Sequence, residues 1–198
     1  MEHYYSEKPS AKRAPKRIDL TVNGHHLTFT TDVGVFSKRM IDFGTRLLIE
    51  SFRFPAQKGP IADVGCGYGP IGLALAKQAP ERKIVMVDIN ERAVELAEKN
   101  RLVNGVHNAV VLKSDLLENV KTERYAAVVS NPPIRAGKKV VYELFHQAHE
   151  RLLPEGEFWL VIQKKQGAPS AEKKLMSLFG NVDVVNKAKG YNIFRMRK

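Results

Sequence analysis

A chain of 198 residues with 43% hydrophobic side chains is long enough for one domain with a sizeable core, and is not a disordered polyelectrolyte. Lys and Arg outnumber Asp and Glu by 32 to 21, a net charge of +11 that favours a polyanionic partner such as nucleic acid. No apolar run approaches the roughly 18 residues that span a bilayer, no signal peptide opens the chain, and the single cysteine, Cys66, excludes a disulfide framework. A cytoplasmic location and no membrane contact are expected.

Residues 1–17 mix Pro, Ser and five basic side chains without periodicity and read as a flexible basic arm, with one domain over 18–198. "IDLTVNGHHLTF" then alternates apolar and polar residues around Asn23-Gly24, predicting a β-hairpin, because both turn positions need positive φ. From Ser37 a helical pattern runs to about residue 51, with Met40, Phe43, Leu47 and Leu48 on one face. After residue 60 short apolar runs alternate with amphipathic stretches. "IADVG", "KIVMVD", "AVVLKSD", "YAAVVSN" and "GEFWLVIQ" predict strands buried on both faces. A helix over 90–104 places Ala93, Leu96, Ala97 and Val103 inward and a Glu95–Lys99 pair outward. The stretch after Val120 reads as loop. A helix over 170–179 precedes "NVDVVNK" and "YNIFRMR", two strands around Gly190. The sum is an α/β fold with a doubly wound, mostly parallel sheet and an antiparallel C-terminal hairpin.

Ligands of such sheets bind beyond the carboxyl ends of the strands, and four motifs fall there. In "DVGCGYGPIG", Gly65, Gly67 and Gly69 allow a tight turn and close approach of a ligand, and Pro70 suits the first position of a helix. Gly67, Gly69 and Gly72 also match the dinucleotide spacing GxGxxG. Asp63 argues otherwise: a carboxylate in the strand repels a pyrophosphate but holds an amino group or orients the loop. Cys66 reads as a small residue lining the pocket. Asp88, closing "KIVMVD", suits the two hydroxyls of a ribose, the competing helix-cap role being served by Asn90 and Glu91. Asp115 in "LKSDLLE" suits an exocyclic adenine amine or is a plain loop residue. In "SNPPIRAGKK", the Asn131 amide and the stiff Pro132-Pro133 backbone suit the holding of a planar amine.

Together these residues resemble a class I S-adenosylmethionine-dependent methyltransferase, with a Rossmann-like fold and a seven-stranded sheet. "DVGCGYG" resembles that superfamily's cofactor loop, Asp88 its ribose acid, Asp115 its adenine contact and "NPPI" its amino-methyltransferase signature. The segment "TDVGVFSKRMIDFGTRLLIE" is similar to the ribosomal RNA small-subunit methyltransferase C family of guanine-N2 methyltransferases. Its longer members carry a degenerate N-terminal methyltransferase-like domain with no counterpart in this sequence. The resemblance implies S-adenosyl-L-methionine as cofactor, bound by Phe36, Asp63, Gly65, Cys66, Gly67, Tyr68, Gly69, Asp88, Ile89, Asp115, Leu116 and Asn131. It implies a catalytic turn of Asn131, Pro132, Pro133 and Ile134, and ribosomal RNA or the small ribosomal subunit as partner.

On chemical grounds the Asn131 side-chain carbonyl and the Pro132 carbonyl each accept one N–H of the amine, and no strong base is needed. Where many such enzymes carry an aromatic residue after the second proline, this chain has Ile134; Phe36 and Tyr142 are the expected stacking residues. Arg135, Lys138, Lys139, Lys164 and Lys165 are expected to bind RNA, and residues 161–198 hold nine Lys or Arg against two acids. His146 and His149 share a helical face but no Cys or acid completes a metal set, and Trp159 reads as core. The competing readings are an adenine-N6 or protein glutamine methyltransferase, a nicotinamide-dependent oxidoreductase built on the glycine loop, and a non-catalytic RNA-binding module.

Overall fold

The computed structural model describes residues 13–35, 41–120 and 123–198. The Asn23-Gly24 turn, with φ of 48° and 80°, joins β1 (Lys16–Val22) to β2 (His25–Thr31) in the expected antiparallel hairpin. Lys16 and Arg17, expected to belong to a flexible arm, therefore open a strand. Before them, Ala14 N–H donates to the Asp32 carboxylate at 2.6 Å and Arg13 pairs with Glu95.

Helix α1 (Phe43–Ser51) starts where Asp42 accepts the Thr45 N–H as N-cap. The expected start at Ser37, with Met40, lies outside the described residues; Leu47 and Leu48 are buried as anticipated. The alternating units follow: β3 (Ile61–Val64), α2 (Pro70–Gln78), β4 (Ile84–Asp88), α3 (Glu91–Val103), β5 (Ala109–Lys113), β6 (Tyr125–Ser130), α4 (Lys138–Arg151), β7 (Leu152–Gln163), α5 (Ala168–Phe179), β8 (Asp183–Ala188) and β9 (Tyr191–Arg197). A 3-10 turn, Glu118–Val120, stands just before the stretch expected to be loop.

The seven-stranded sheet has the order β5-β4-β3-β6-β7-β9-β8. The first five strands are parallel, and β9 runs antiparallel between β7 and the edge strand β8. The order reverses between β3 and β6, so their carboxyl ends splay apart and open a crevice. The hairpin, α1, α2 and α3 pack on one face around Phe29, Leu48, Leu73 and Trp159. Helices α4 and α5 pack on the other around Phe145, Phe158, Leu175 and Phe194. Trp159 is a core residue as expected, edge-on to Phe52 with its indole N–H on Glu157 at 2.8 Å. His149 packs edge-on against Phe179.

One expectation for α3 fails. Val103 is 60% exposed rather than inward, because the buried face turns through Asn100, whose amide is occupied by backbone. Glu95 and Lys99 both face outward as expected, but Glu95 pairs with Arg13, which reaches it from before β1. Among the described residues no helix is long and apolar enough to cross a membrane.

Candidate functional site

The crevice at the switch point is a cleft of about 640 Å³, walled by the loop after β3, the ends of β4, β5 and β6, the turn into α4, residues 33–35, and Asp42, Thr45 and Tyr191.

Three glycines shape its floor. Gly65, Gly67 and Gly69 have φ of 72°, 57° and 100°, left-handed values that side chains disfavour. At Gly65 and Gly67 an added Cβ would meet nothing within 4 Å, whereas at Gly69 it would come to 2.9 Å from Met86 and at Gly72 to 2.6 Å. The first two glycines therefore keep the cleft open, and the later two let α2 press against β4. Pro70 opens α2 as expected. Cys66 and Tyr68 are buried and line the cleft. Burial, with Asp88 and Asp63 adding repulsion, pushes the Cys66 thiol up, so it stays a neutral lining group.

Asp63 is fully buried beneath this loop and does not reach the cleft wall. Its Oδ2 accepts the Gly72 N–H at 2.8 Å; Oδ1 has no hydrogen-bond partner among the described residues. Burial pushes this carboxyl up to about 7, against the pull of the Gly72 bond. Of its two expected roles the structure places it in the second, holding the loop to the helix.

Asp88 lines the cleft at the end of β4, and both of its oxygens are held by backbone: Oδ2 accepts Gly67 N–H at 2.8 Å and Oδ1 accepts Asn90 N–H at 2.9 Å. Burial raises its pKa while those bonds lower it. Asn90 is the N-cap of α3, accepting the Arg92 and Ala93 N–H groups, so Asp88 is free of the capping role. Ile89, Asp115 and Leu116 also line the cleft, Leu116 with a φ of 49° that turns the chain after β5.

Asn131, Pro132, Pro133 and Ile134 form the wall facing the glycine loop. Asn131 Nδ2 donates to Thr45 Oγ1 at 2.8 Å and to Asp42 Oδ2 at 3.4 Å. The Tyr191 hydroxyl donates to Asp42 Oδ1 at 3.2 Å. Burial, and then Asp42, push that hydroxyl's pKa up, which keeps it a donor. A carboxylate only accepts, so this arrangement holds the Asn131 nitrogen outward and leaves its Oδ1 as the free acceptor of the amide. The Pro132 carbonyl accepts the Ile134 N–H at 2.8 Å, and its second lone pair remains.

Residues 33–35 are held over the glycine loop by α3. Asn100 Oδ1 accepts Thr30 N–H at 2.7 Å and its Nδ2 donates to the Thr30 and Tyr68 carbonyls at 2.9 and 2.8 Å. One turn on, Asn104 repeats the pairing with Thr28. The two amides serve β2 as a neighbouring strand would. Asn90 and Arg92 then take the Gly34 and Val33 carbonyls at 3.0 and 2.6 Å.

Phe36 lies outside the described residues, as does the side chain of Arg135. Tyr142 does not stand in the cleft wall. It lines an adjoining shallow depression with Lys138 and Ser170, which shares Ile134 and Gln166 with the cleft, and its ring is tilted against Phe145. Lys138 and Lys139, at the start of α4, and Lys164 and Lys165, after β7, are exposed at the carboxyl edge of the sheet, outside the wall itself. Sequence reading missed Asp42, Thr45, Tyr191, Ser114 and Gln166. The Asp42-to-Thr45 spacing signals a helix start but gives no hint of a contact with Asn131, 86 residues beyond Thr45.

Residues 26–195 match the methyltransferase small domain family. The chain is 54% identical over its full length to the uncharacterized protein YbxB of Bacillus subtilis and covers 98% of it. It is 31% identical over 191 residues to a ribosomal RNA small subunit methyltransferase C of Vibrio cholerae, of which it covers 53%. A solved structure titled as the T. thermophilus 16S rRNA N2 G1207 methyltransferase in complex with AdoMet and guanosine superposes with a TM-score of 0.81 and 25% identity, over 96% of this chain and 52% of that one. The chain thus spans about half the length of these methyltransferase C relatives. A Lactobacillus delbrueckii ribosomal protein L11 methylase shares the fold at a TM-score of 0.66 and 24% identity.

Proposed function

The chain belongs to the methyltransferase small domain family and is a class I S-adenosylmethionine-dependent methyltransferase resembling the methyltransferase C enzymes; on that premise we propose that its acceptor is the exocyclic N2 amine of a guanosine in small-subunit ribosomal RNA. The family membership removes the nicotinamide oxidoreductase reading of the glycine loop.

S-adenosyl-L-methionine supplies an electrophilic methyl group on sulfur. The residues present fit it. Gly65 and Gly67 leave open space at the floor, and Asp88, its carboxylate fixed by Gly67 and Asn90, suits a ribose diol. Asp115 and Leu116 border the same cleft for the base. Asp63 holds the loop from below through the Gly72 N–H.

The observation that carries the acceptor reading is the orientation of Asn131. With Nδ2 given to Thr45 and Asp42, its carbonyl oxygen and that of Pro132 offer two acceptors to the two N–H groups of one planar amine. Holding both fixes the amine and directs its lone pair, so positioning supplies most of the acceleration. The amine sheds its proton to water after it has been methylated, which needs no side-chain base.

An RNA substrate is supported by the net charge of +11 and by the exposed Lys138, Lys139, Lys164 and Lys165 on the ligand edge. A base reaches such a cleft only when unstacked. The test is incubation of the protein with labelled S-adenosylmethionine and unmodified small subunits or free 16S RNA, followed by nucleoside mass spectrometry. N2-methylguanosine that disappears with Asn131→Ala is the expected product; N6-methyladenosine, or methyl label only on protein, would sink the guanine assignment.

A further inference from the structure

We propose that Asp42 is the residue that selects guanine over other planar amines. This rests on the guanosine reading above and deepens it from the amine to the atom beside it.

Asp42 is the N-cap of α1, but it also stands in the cleft wall beside Asn131. Its Oδ2 lies 3.4 Å from Asn131 Nδ2 and accepts Thr45 N–H at 3.2 Å; its Oδ1 accepts the Tyr191 hydroxyl at 3.2 Å. Two donors on opposite oxygens fix the plane of the carboxylate. Each carboxylate oxygen accepts about two hydrogen bonds; Oδ2 is filled by Asn131 and Thr45, so the acceptor capacity that remains in this cleft-lining residue is on Oδ1, which holds Tyr191 alone. The wall on the amine side is therefore a row of acceptors: the Asp42 carboxylate, Asn131 Oδ1 and the Pro132 carbonyl.

Such a row has a chemical complement. Guanine carries two kinds of donor side by side, the N2 amine and the N1–H. Adenine carries the N6 amine beside N1, a bare lone pair that a carboxylate repels. A glutamine side chain offers an amine and an acceptor oxygen and leaves Asp42 unmatched. Sites built to bond a donor reject the analogue that lacks it far more strongly than apolar pockets reject a size change, since the site's own polar group is left unpaired.

The discriminating probe is 2-aminopurine riboside, which keeps the N2 amine of guanosine, replaces the N1–H with a lone pair and also lacks O6; the O6 difference is common to wild type and variant, so the share of Asp42 is read from the change between them. With the protein loaded with S-adenosylhomocysteine, calorimetry is expected to show guanosine binding at least about tenfold tighter than 2-aminopurine riboside, a margin of about 1.4 kcal/mol. In Asp42→Asn that preference should shrink by about fivefold or more relative to wild type, because the amide can turn a donor to the N1 lone pair. Asn caps helices as well as Asp, so a residue that only capped α1 would leave the preference intact in Asp42→Asn, and that result overturns the proposal. Equal affinity of the wild-type protein for the two nucleosides overturns it without need of a folded variant. If the wild-type protein binds neither nucleoside and makes no N2-methylguanosine, the guanosine reading itself has failed and the selection role falls with it. S-adenosylhomocysteine affinity, measured alongside, reports that the cofactor half of each variant is folded.

Discussion

Asn131 turns its amide nitrogen onto the Thr45 hydroxyl at 2.8 Å, across 86 residues of sequence. The strand end proposed to hold the acceptor amine is thus set by the first turn of α1, a neighbour in the same wall of the cleft. Thr45→Val preserves the shape and removes the acceptor, leaving a partly buried donor with only the longer Asp42 hydrogen bond, a defect toward the lower end of the about 1–3 kcal/mol of a desolvated group. Single-turnover methyl transfer should slow by roughly tenfold or more in Thr45→Val, and by about 100- to 1,000-fold in Asn131→Ala, by analogy with removal of one preorganised polar group facing the reacting atoms. S-adenosylhomocysteine affinity should hold in Thr45→Val; a parallel loss there would mean that α1 supports the whole cleft rather than the amine site.

Asp88 accepts Gly67 N–H and Asn90 N–H on its two oxygens. Asp88→Asn retains only one acceptor oxygen, so one backbone N–H must face an amide NH2. Weakening that bond and the hold on the ribose should raise the S-adenosylhomocysteine Kd by at least about tenfold, equivalent to about 1.4 kcal/mol. Unchanged affinity by calorimetry would remove Asp88 from the ribose site.

Asp63 gives a pH dependence whose sign follows from burial. Its carboxyl is pushed up to about 7 in the folded protein, against about 3.9 in an unfolded chain. Between those values the folded state holds a proton that the unfolded state has lost, so this residue's contribution to stability falls as pH rises from about 4 to about 7 and is level above. Asp63→Asn removes the titration and keeps an oxygen for Gly72 N–H. Relative to wild type, the variant should gain on the order of 4 kcal/mol between about pH 4 and about pH 7.5, read by urea unfolding without cofactor. Identical pH slopes for the two proteins would contradict it.

Asn100 satisfies three backbone groups, on Thr30 and Tyr68. In Asn100→Ala these lie partly buried without a partner, at about 1–3 kcal/mol for a fully desolvated group. A net loss of about 2–4 kcal/mol corresponds to a fall in Tm of roughly 5–15 °C for a domain of this size. The same variant should weaken cofactor binding, since residues 33–35 and Tyr68 are held through it. A drop in Tm below about 2 °C by calorimetry would show that the hairpin is docked by other interactions.

Lys138 and Lys139 are exposed where α4 starts. If they neutralise phosphates, the double change to Glu weakens RNA binding and reduces the slope of log K against log salt by about 0.7–0.9 for each phosphate no longer neutralised. Cofactor affinity should not move. A fluorescence titration at several salt concentrations decides this, and an unchanged slope would place the RNA path elsewhere on the sheet edge.

What was legible in the sequence rests on local rules. Asn23-Gly24 dictates a hairpin because both residues tolerate positive φ, and the alternation of buried strands with amphipathic helices dictates a parallel, doubly wound sheet. Strand ends in such a sheet converge on one edge, so Gly65, Gly67, Asp88, Asp115 and Asn131 could be assembled into one cleft from their positions alone. What failed to be legible depends on packing between distant segments. Which of its two expected roles Asp63 takes was not readable, and it sits beneath the loop; Tyr142 reads as a stacking residue but faces another depression, and Val103 reads as core but is exposed.

The sequence by itself therefore determined the fold class, the glycine loop and the strand-end residues, because backbone torsion and hydrophobic period are properties of neighbours along the chain. Only the tertiary structure decided how the Asn131 amide is turned, since that depends on Asp42 and Thr45 from α1 and on Tyr191 from β9. A side chain's position follows from its own segment, whereas the direction in which it presents a donor or an acceptor follows from the partners that folding brings to it.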